Sequence, residues 1–185
     1  CATSASIPLT QVPGMIQRNE LIDALGVRFV AGFALLSACL LGLYYFPYAS
    51  EGLVRRGLDA YLHGYASAAG AILRSFEPSV AVTGPVIAGR YSLRIVRTCD
   101  AMDVTILLVA ALLSWPGRWK RRVAAAAAGA IVLFAINIVR ICSLYYVGVY
   151  FPASFELAHL EVWPAVILLA TMGLFFALSR WERSA

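Results

Sequence analysis

Charge is scarce in this sequence. Only 14% of its residues are charged, against about a quarter in soluble domains. Metal-binding side chains are also scarce, with two histidines and four cysteines, and no Cys-x-x-Cys pair. A closed zinc site would have to gather its ligands one by one from distant places, so neither a metal nor a cofactor is expected. The chain also lacks the basic, aromatic-studded polar face of a nucleic-acid-binding domain. Its net charge of +5 sits in short clusters beside apolar runs. There it reads as membrane topology and attraction to anionic headgroups, which leaves lipid, not nucleic acid, as the partner.

Apolar residues are abundant. They make up 61% of the 185 residues and are collected into long runs, so the expected fold is an all-α polytopic membrane protein. About four transmembrane helices are expected, with an external amphipathic helix and a small β-hairpin. About 20 apolar residues cross the hydrocarbon. The spans are placed at about 28–47, 100–115, 123–147 and 163–179. Residues 1–14 read as a leader, non-native or disordered, and 15–185 as one integral-membrane domain. A short amphipathic helix is expected at 16–26. Cys39, midway along the first span, reads as a small buried hydrophobe.

Residues 48–98 form an external segment. In 51–76, Leu58, Tyr61, Leu62, Tyr65, Ala69, Ile72, Leu73 and Phe76 recur at spacings of three and four, the pattern of an amphipathic helix. From 79 to 97 the period changes to two, and Gly84-Pro85 and Gly89-Arg90 mark turns. Arg90, Arg94 and Arg97 line this stretch; a solvated face is the plain reading for them. Arg118, Lys120, Arg121 and Arg122, with Arg180 and Arg183 in the tail, set the cytoplasmic side by the positive-inside rule. Both termini then lie inside, with 48–98 and 148–162 outside.

Helical rise places three polar groups at one depth. At 1.5 Å per residue, Trp115 back to Cys99 is roughly 24 Å, Arg122 to Arg140 roughly 27 Å, and Arg180 to His159 at most roughly 31 Å. Against hydrocarbon about 30 Å thick, all three reach the outer edge from different helices. Asn137 lies one turn below Arg140 on the same face.

Cys99 sits where a strand-like segment gives way to an apolar helix. Unpaired N–H groups at a helix start favour a thiolate, and Arg140 would add a fixed positive charge. Asp100 and Asp103 oppose this if ionised, or else orient Arg140 or cap the helix. In acyl transfer Cys99 is the natural nucleophile and His159 the proton carrier. Arg140 would polarise the carbonyl. Asn137, Arg94, Arg97, Asp100 and Asp103 are candidate supporting or substrate-binding residues, and His63 is a rival base. Other readings stand beside this one. The chain could be a non-catalytic membrane assembly protein whose arginine-rich hairpin holds an anionic lipid or partner. It could also be a thiol oxidoreductase, or carry a structural disulfide, through Cys99 and Cys142.

At these residues the chain resembles the exosortase/archaeosortase family of membrane cysteine transpeptidases, as a short member of the exosortase H type. The resemblance rests on order: Arg97-Thr98-Cys99 opening a span, Asn137-Ile138-Val139-Arg140 in a later span, and Ala158-His159 before the last. It covers about residues 27–180. It implies an enzyme of the prokaryotic inner (cytoplasmic) membrane with its site on the external side. Its partners would be exported proteins bearing a C-terminal sorting tail of recognition motif, helix and basic cluster. These would be cleaved through a thioester on Cys99 and passed to an acceptor, with Arg140 and His159 as the other catalytic residues. Many members follow the cysteine with Ser-Gly or Asn-Gly, where this chain has Asp100-Ala101.

Overall fold

The computed structural model describes residues 13–46, 52–97 and 100–184. Cys99, Thr98 and most of the expected leader lie outside the described residues. The first helix, α1 (Pro13–Tyr45), is continuous. The expected interfacial helix at 16–26 and the first span are therefore one element. No proline stands between Pro13 and Pro47, and a single Gly26 does not break the hydrogen-bond ladder. Proline at the helix start costs nothing, since its missing N–H would have no partner there.

The amphipathic helix α2 (Leu53–Arg74) follows, then a sheet of β1 (Ala81–Thr83), β2 (Val86–Ala88) and β3 (Ser92–Arg94), antiparallel in that order. One hairpin is expected from the sequence; three strands form, because the chain reverses a second time at Gly89-Arg90 and Ser92–Arg94 pairs back on β2. Val86 faces Arg94 and Ile87 faces Leu93. At the first reversal Gly84 has φ +57°, which glycine adopts without steric cost.

The helix α3 (Met102–Ser114) is apolar and short. Its 13 residues span only about 20 Å, less than the hydrocarbon. It is packed on several sides, against α1, against α4 (Trp119–Tyr150) and against α6 (Trp163–Ser184). Close approach of α3 to α4 depends on the small-residue run 124–129: Ala125, Ala126 and Gly129 are buried. A methyl group on Gly129 would come 2.9 Å from Leu108. Small residues serve helix contacts inside membranes in this way.

Three helical stretches, Gly26–Tyr45, Trp119–Tyr150 and Pro152–Trp181, are long and apolar enough to cross a membrane. With α3 beside them they make a multi-pass membrane protein. Cys39 is exposed on α1, not buried as expected, because α1 meets its neighbours along one side only and the opposite side is left for lipid.

α4 is longer than the expected span, and its C-terminal half carries α2 and the sheet. Leu62, Tyr65, Ala69 and Leu73 of α2 pack with Ile87 and Ile95 of the sheet region onto Ile138, Ile141 and Tyr145. Two of the apolar positions expected to face inward, Ile72 and Phe76, are exposed; Ile72 is on the side of α2 away from the cluster that its neighbour Leu73 joins, and Phe76 follows the helix end. Tyr145 locks the segment in place. Its hydroxyl accepts the Arg90 N–H at 2.9 Å and donates to Glu77 Oε2 at 3.1 Å. The ring is fully buried, and a phenylalanine there would remove both bonds, leaving the Arg90 N–H only its 3.3 Å bond to Glu77 Oε1.

Candidate active site

α4 delivers Asn137 and Arg140 to one face, three residues apart, and both are buried. Their partner comes from the stretch after α4. Pro152 has no N–H to extend the α4 ladder, and the chain restarts as a 3-10 turn at Pro152–Ser154, a single turn α5 (Phe155–Leu157) and a π-helical turn Ala158–Val162 that runs into α6. His159 therefore stands on a helical turn, not in the loop expected. Such wide turns occur often at functional sites. Phe155, one turn earlier, stacks on the imidazole with ring centroids 5.8 Å apart and planes 15° from parallel.

Arg140 and His159 meet. Arg140 Nη2 lies 3.5 Å from His159 Nδ1, from residues that the sequence separates by 19 positions. A guanidinium only donates, so Nδ1 accepts and the ring proton sits on Nε2. Below them the Tyr65 hydroxyl faces the Asn137 amide, but among the described residues neither end of that amide makes a well-aligned hydrogen bond. Tyr61 donates to Tyr65 at 3.3 Å. Burial pushes both phenols up, so they remain protonated.

Next in sequence after Cys99, Asp100 is buried, with 1% of its surface exposed. Its carboxylate accepts the Tyr44 hydroxyl and, at 3.0 Å, the Met102 N–H. Asp103 is exposed and accepts the Tyr45 hydroxyl at 2.6 Å. Of the two expected roles for these acids, helix capping is what Asp100 does. Tyr44 and Tyr45 read from sequence as a water-boundary belt; their choice over phenylalanine is the signal that their hydroxyls have partners. Arg97 lies over the Tyr44 ring at 5.9 Å, and Arg94 is exposed beside a cavity.

That cavity, of about 280 Å³, lies between β3 and α4 and includes Arg140, His159 and Phe155 in its lining. His63 stands apart from it. Its Nδ1 bonds the Gly84 carbonyl at 2.8 Å and its Nε2 lies 3.4 Å from Ser67, so it ties α2 to the first turn of the sheet. Cys142 is a free thiol packed toward Ala69 of α2, around the helix from Arg140. Among the described residues no group of acids, histidines and cysteines could hold a metal ion.

Residues 23–182 match the family model described as transmembrane exosortase, EpsH type. The chain belongs to the transmembrane exosortase family. No curated protein and no solved structure matches it. Membership points to a membrane protein-sorting transpeptidase acting on exported proteins. It also gives meaning to Ala101, the one non-glycine residue at positive φ among the described residues (φ 55°, ψ 21°). Position 101 is where the resemblance leads one to expect glycine, and a left-handed backbone is the physical reason. Ala101→Gly should therefore raise stability by about 1 kcal/mol, measured as a higher unfolding midpoint in detergent; a lowered midpoint would contradict the strain.

Proposed function

We propose that this exosortase is a cysteine transpeptidase of the prokaryotic cytoplasmic membrane. It would cut exported proteins at a C-terminal sorting tail on the external face, with Cys99, Arg140 and His159 as catalytic residues. The observation that carries this is the Arg140–His159 contact. Two groups from separate helical elements, one a buried cation, converge on a cavity lined by the strand segment that leads in sequence to Cys99. Intramembrane ionisable groups are functional by default.

The neutral imidazole defines a proton route. The Cys99 thiol gives its proton to His159 Nδ1 as the thiolate attacks the scissile carbonyl carbon. Arg140, held to Nδ1 only by a long contact, turns to the carbonyl oxygen and stabilises the oxyanion. The carbon–nitrogen bond breaks, the imidazolium returns its proton to the leaving amine, and the protein is held as a thioester. An acceptor nucleophile then loses its proton to Nδ1, attacks the thioester carbonyl and expels the Cys99 thiolate, which takes that proton back from the imidazolium. Asp100, capped onto α3 and adjacent to Cys99 in the chain, would hold the turn that carries the nucleophile.

Incubating the full chain in membranes with a tail-bearing exported protein should yield a hydroxylamine-sensitive adduct on Cys99, seen by intact mass. Its mass gain identifies the cleaved bond. Efficient cleavage with no Cys99 adduct under rapid quench, together with undiminished cleavage by Cys99→Ala, would refute the scheme.

A further inference from the structure

Six consecutive residues, 91–96, line the cavity beside Arg140. A sheet face would contribute every second residue, because successive side chains point to opposite sides. An unbroken run places the cavity along a strand's edge. β3 is that edge, with a neighbouring strand on one side only.

The ladder shows which backbone groups of β3 are already paired. Leu93 faces Ile87. On either side of that pair, the Ile95 N–H donates to the Pro85 carbonyl at 2.8 Å and the Gly89 N–H to the Tyr91 carbonyl at 3.2 Å. Hydrogen-bonded and non-hydrogen-bonded pairs alternate along an antiparallel ladder. Tyr91, Leu93 and Ile95 therefore turn their backbone groups to β2, while Ser92 and Arg94 turn theirs to the cavity. Among the described residues, no backbone hydrogen bond beyond the ladder reaches Ser92 or Arg94. The opposite wall is made by Arg140, Leu144, Phe155 and His159. A volume of about 280 Å³ suits a short extended stretch of chain.

We infer that β3 is the substrate-binding strand. The extended segment flanking the scissile bond of the exported polypeptide adds to the sheet as a fourth strand, pairing with the N–H and C=O groups of Ser92 and Arg94. Strand addition takes its affinity from main-chain hydrogen bonds, and alternate side chains of the guest meet the walls. This inference rests on the reading of the site as one that cleaves a peptide bond, and it names how that peptide is held. A short edge strand bearing arginine can also serve only to discourage aggregation. Here the edge borders an open cavity whose far wall carries the paired Arg140 and His159, which places a guest strand against the reacting groups.

The test uses the full chain in producing cells and an exported protein whose tail is removed only when the wild-type chain is present, read by intact mass. Ser92→Pro removes one outward N–H and no ladder bond, a change that edge strands tolerate. Initial processing is expected to fall about tenfold or more below that of Ser92→Ala at equal membrane level. Where Ser92→Pro does not accumulate, Arg94→Pro against Arg94→Ala takes its place. A proline scan of the substrate around the cut leaves the enzyme unaltered. It should block processing at every second position, by about tenfold more than alanine at the same position. Proline tolerated throughout, or blocking without alternation, overturns strand addition, as does Ser92→Pro processing as fast as Ser92→Ala. Cys99→Ala run alongside separates the two ideas: if it is inactive while the proline pattern is absent, strand addition alone fails. If it still processes the substrate, or if no exported protein depends on the chain, the catalytic reading fails and this inference with it.

Discussion

Alanine at Cys99 is expected to reduce tail processing to background, a loss on the order of 10⁴-fold or more. The reason is chemical, not structural. On the proposed scheme alanine offers no electron pair to attack the carbonyl, so no acyl-enzyme would form, and the charge of Arg140 would polarise a bond that nothing attacks. Stability should hardly change, since the side chain lost is small. Serine should recover little, because a hydroxyl at neutral pH is far less ionised than a thiol. The measurement is the intact mass of exported substrates in cells producing each variant at matched membrane levels. Full-length substrate should accumulate with Cys99→Ala. Wild-type amounts of shortened product would remove Cys99 from the mechanism.

Loss of the Arg140 guanidinium is the second large effect. Arg140→Met, which keeps much of the volume, should lower kcat by about 10²–10³-fold, the usual cost of one oxyanion donor. On the proposed scheme two things disappear at once: the positive charge offered to the carbonyl oxygen, and the contact with His159 Nδ1. Lysine restores charge but not the planar fork, so Arg140→Lys should fall between methionine and wild type. Because Arg140 is almost wholly removed from solvent (5% exposed), methionine is also expected to be neutral or mildly favourable for stability. A variant that is folded, no less stable and nearly inactive separates catalysis from scaffolding. Wild-type turnover in Arg140→Met would show that the guanidinium serves packing alone.

Much of the architecture is legible in the sequence. Long apolar runs announce the helices, and spacings of three and four in 51–76 announce α2. Alternation after residue 79 announces strands. Helical rise puts Arg140 and His159 at one level, and they are in contact. Other features are not legible in this way. The third strand depends on which edge Ser92–Arg94 finds after its turn, and short apolar–polar alternation does not specify a partner. The helical path of 152–162 is hidden by Pro152, which signals a break but not a restart. Tyr44 and Tyr45 have the composition of boundary residues, and only the fold places Asp100 and Asp103 beside their hydroxyls. Phe155 gives one faint signal, its spacing of four from His159, and only the stacked rings assign it a role.

By itself the sequence determined a multi-pass helical membrane protein, the family to which it belongs, and the residue types available for chemistry. The helices follow from composition and periodicity, which act locally along the chain, and the family from the match over residues 23–182. Only the tertiary structure decided that His159 Nδ1 faces Arg140, that Asp100 caps α3 with help from Tyr44, that Ala101 bears a left-handed backbone, and that β3 leaves its outer edge open to the cavity. Each of these depends on how rigid elements pack and on which backbone groups a neighbour has already taken. Residue spacing can set a depth or a face; hydrogen-bond partners across helices and strands are settled only when the helices and the sheet pack together.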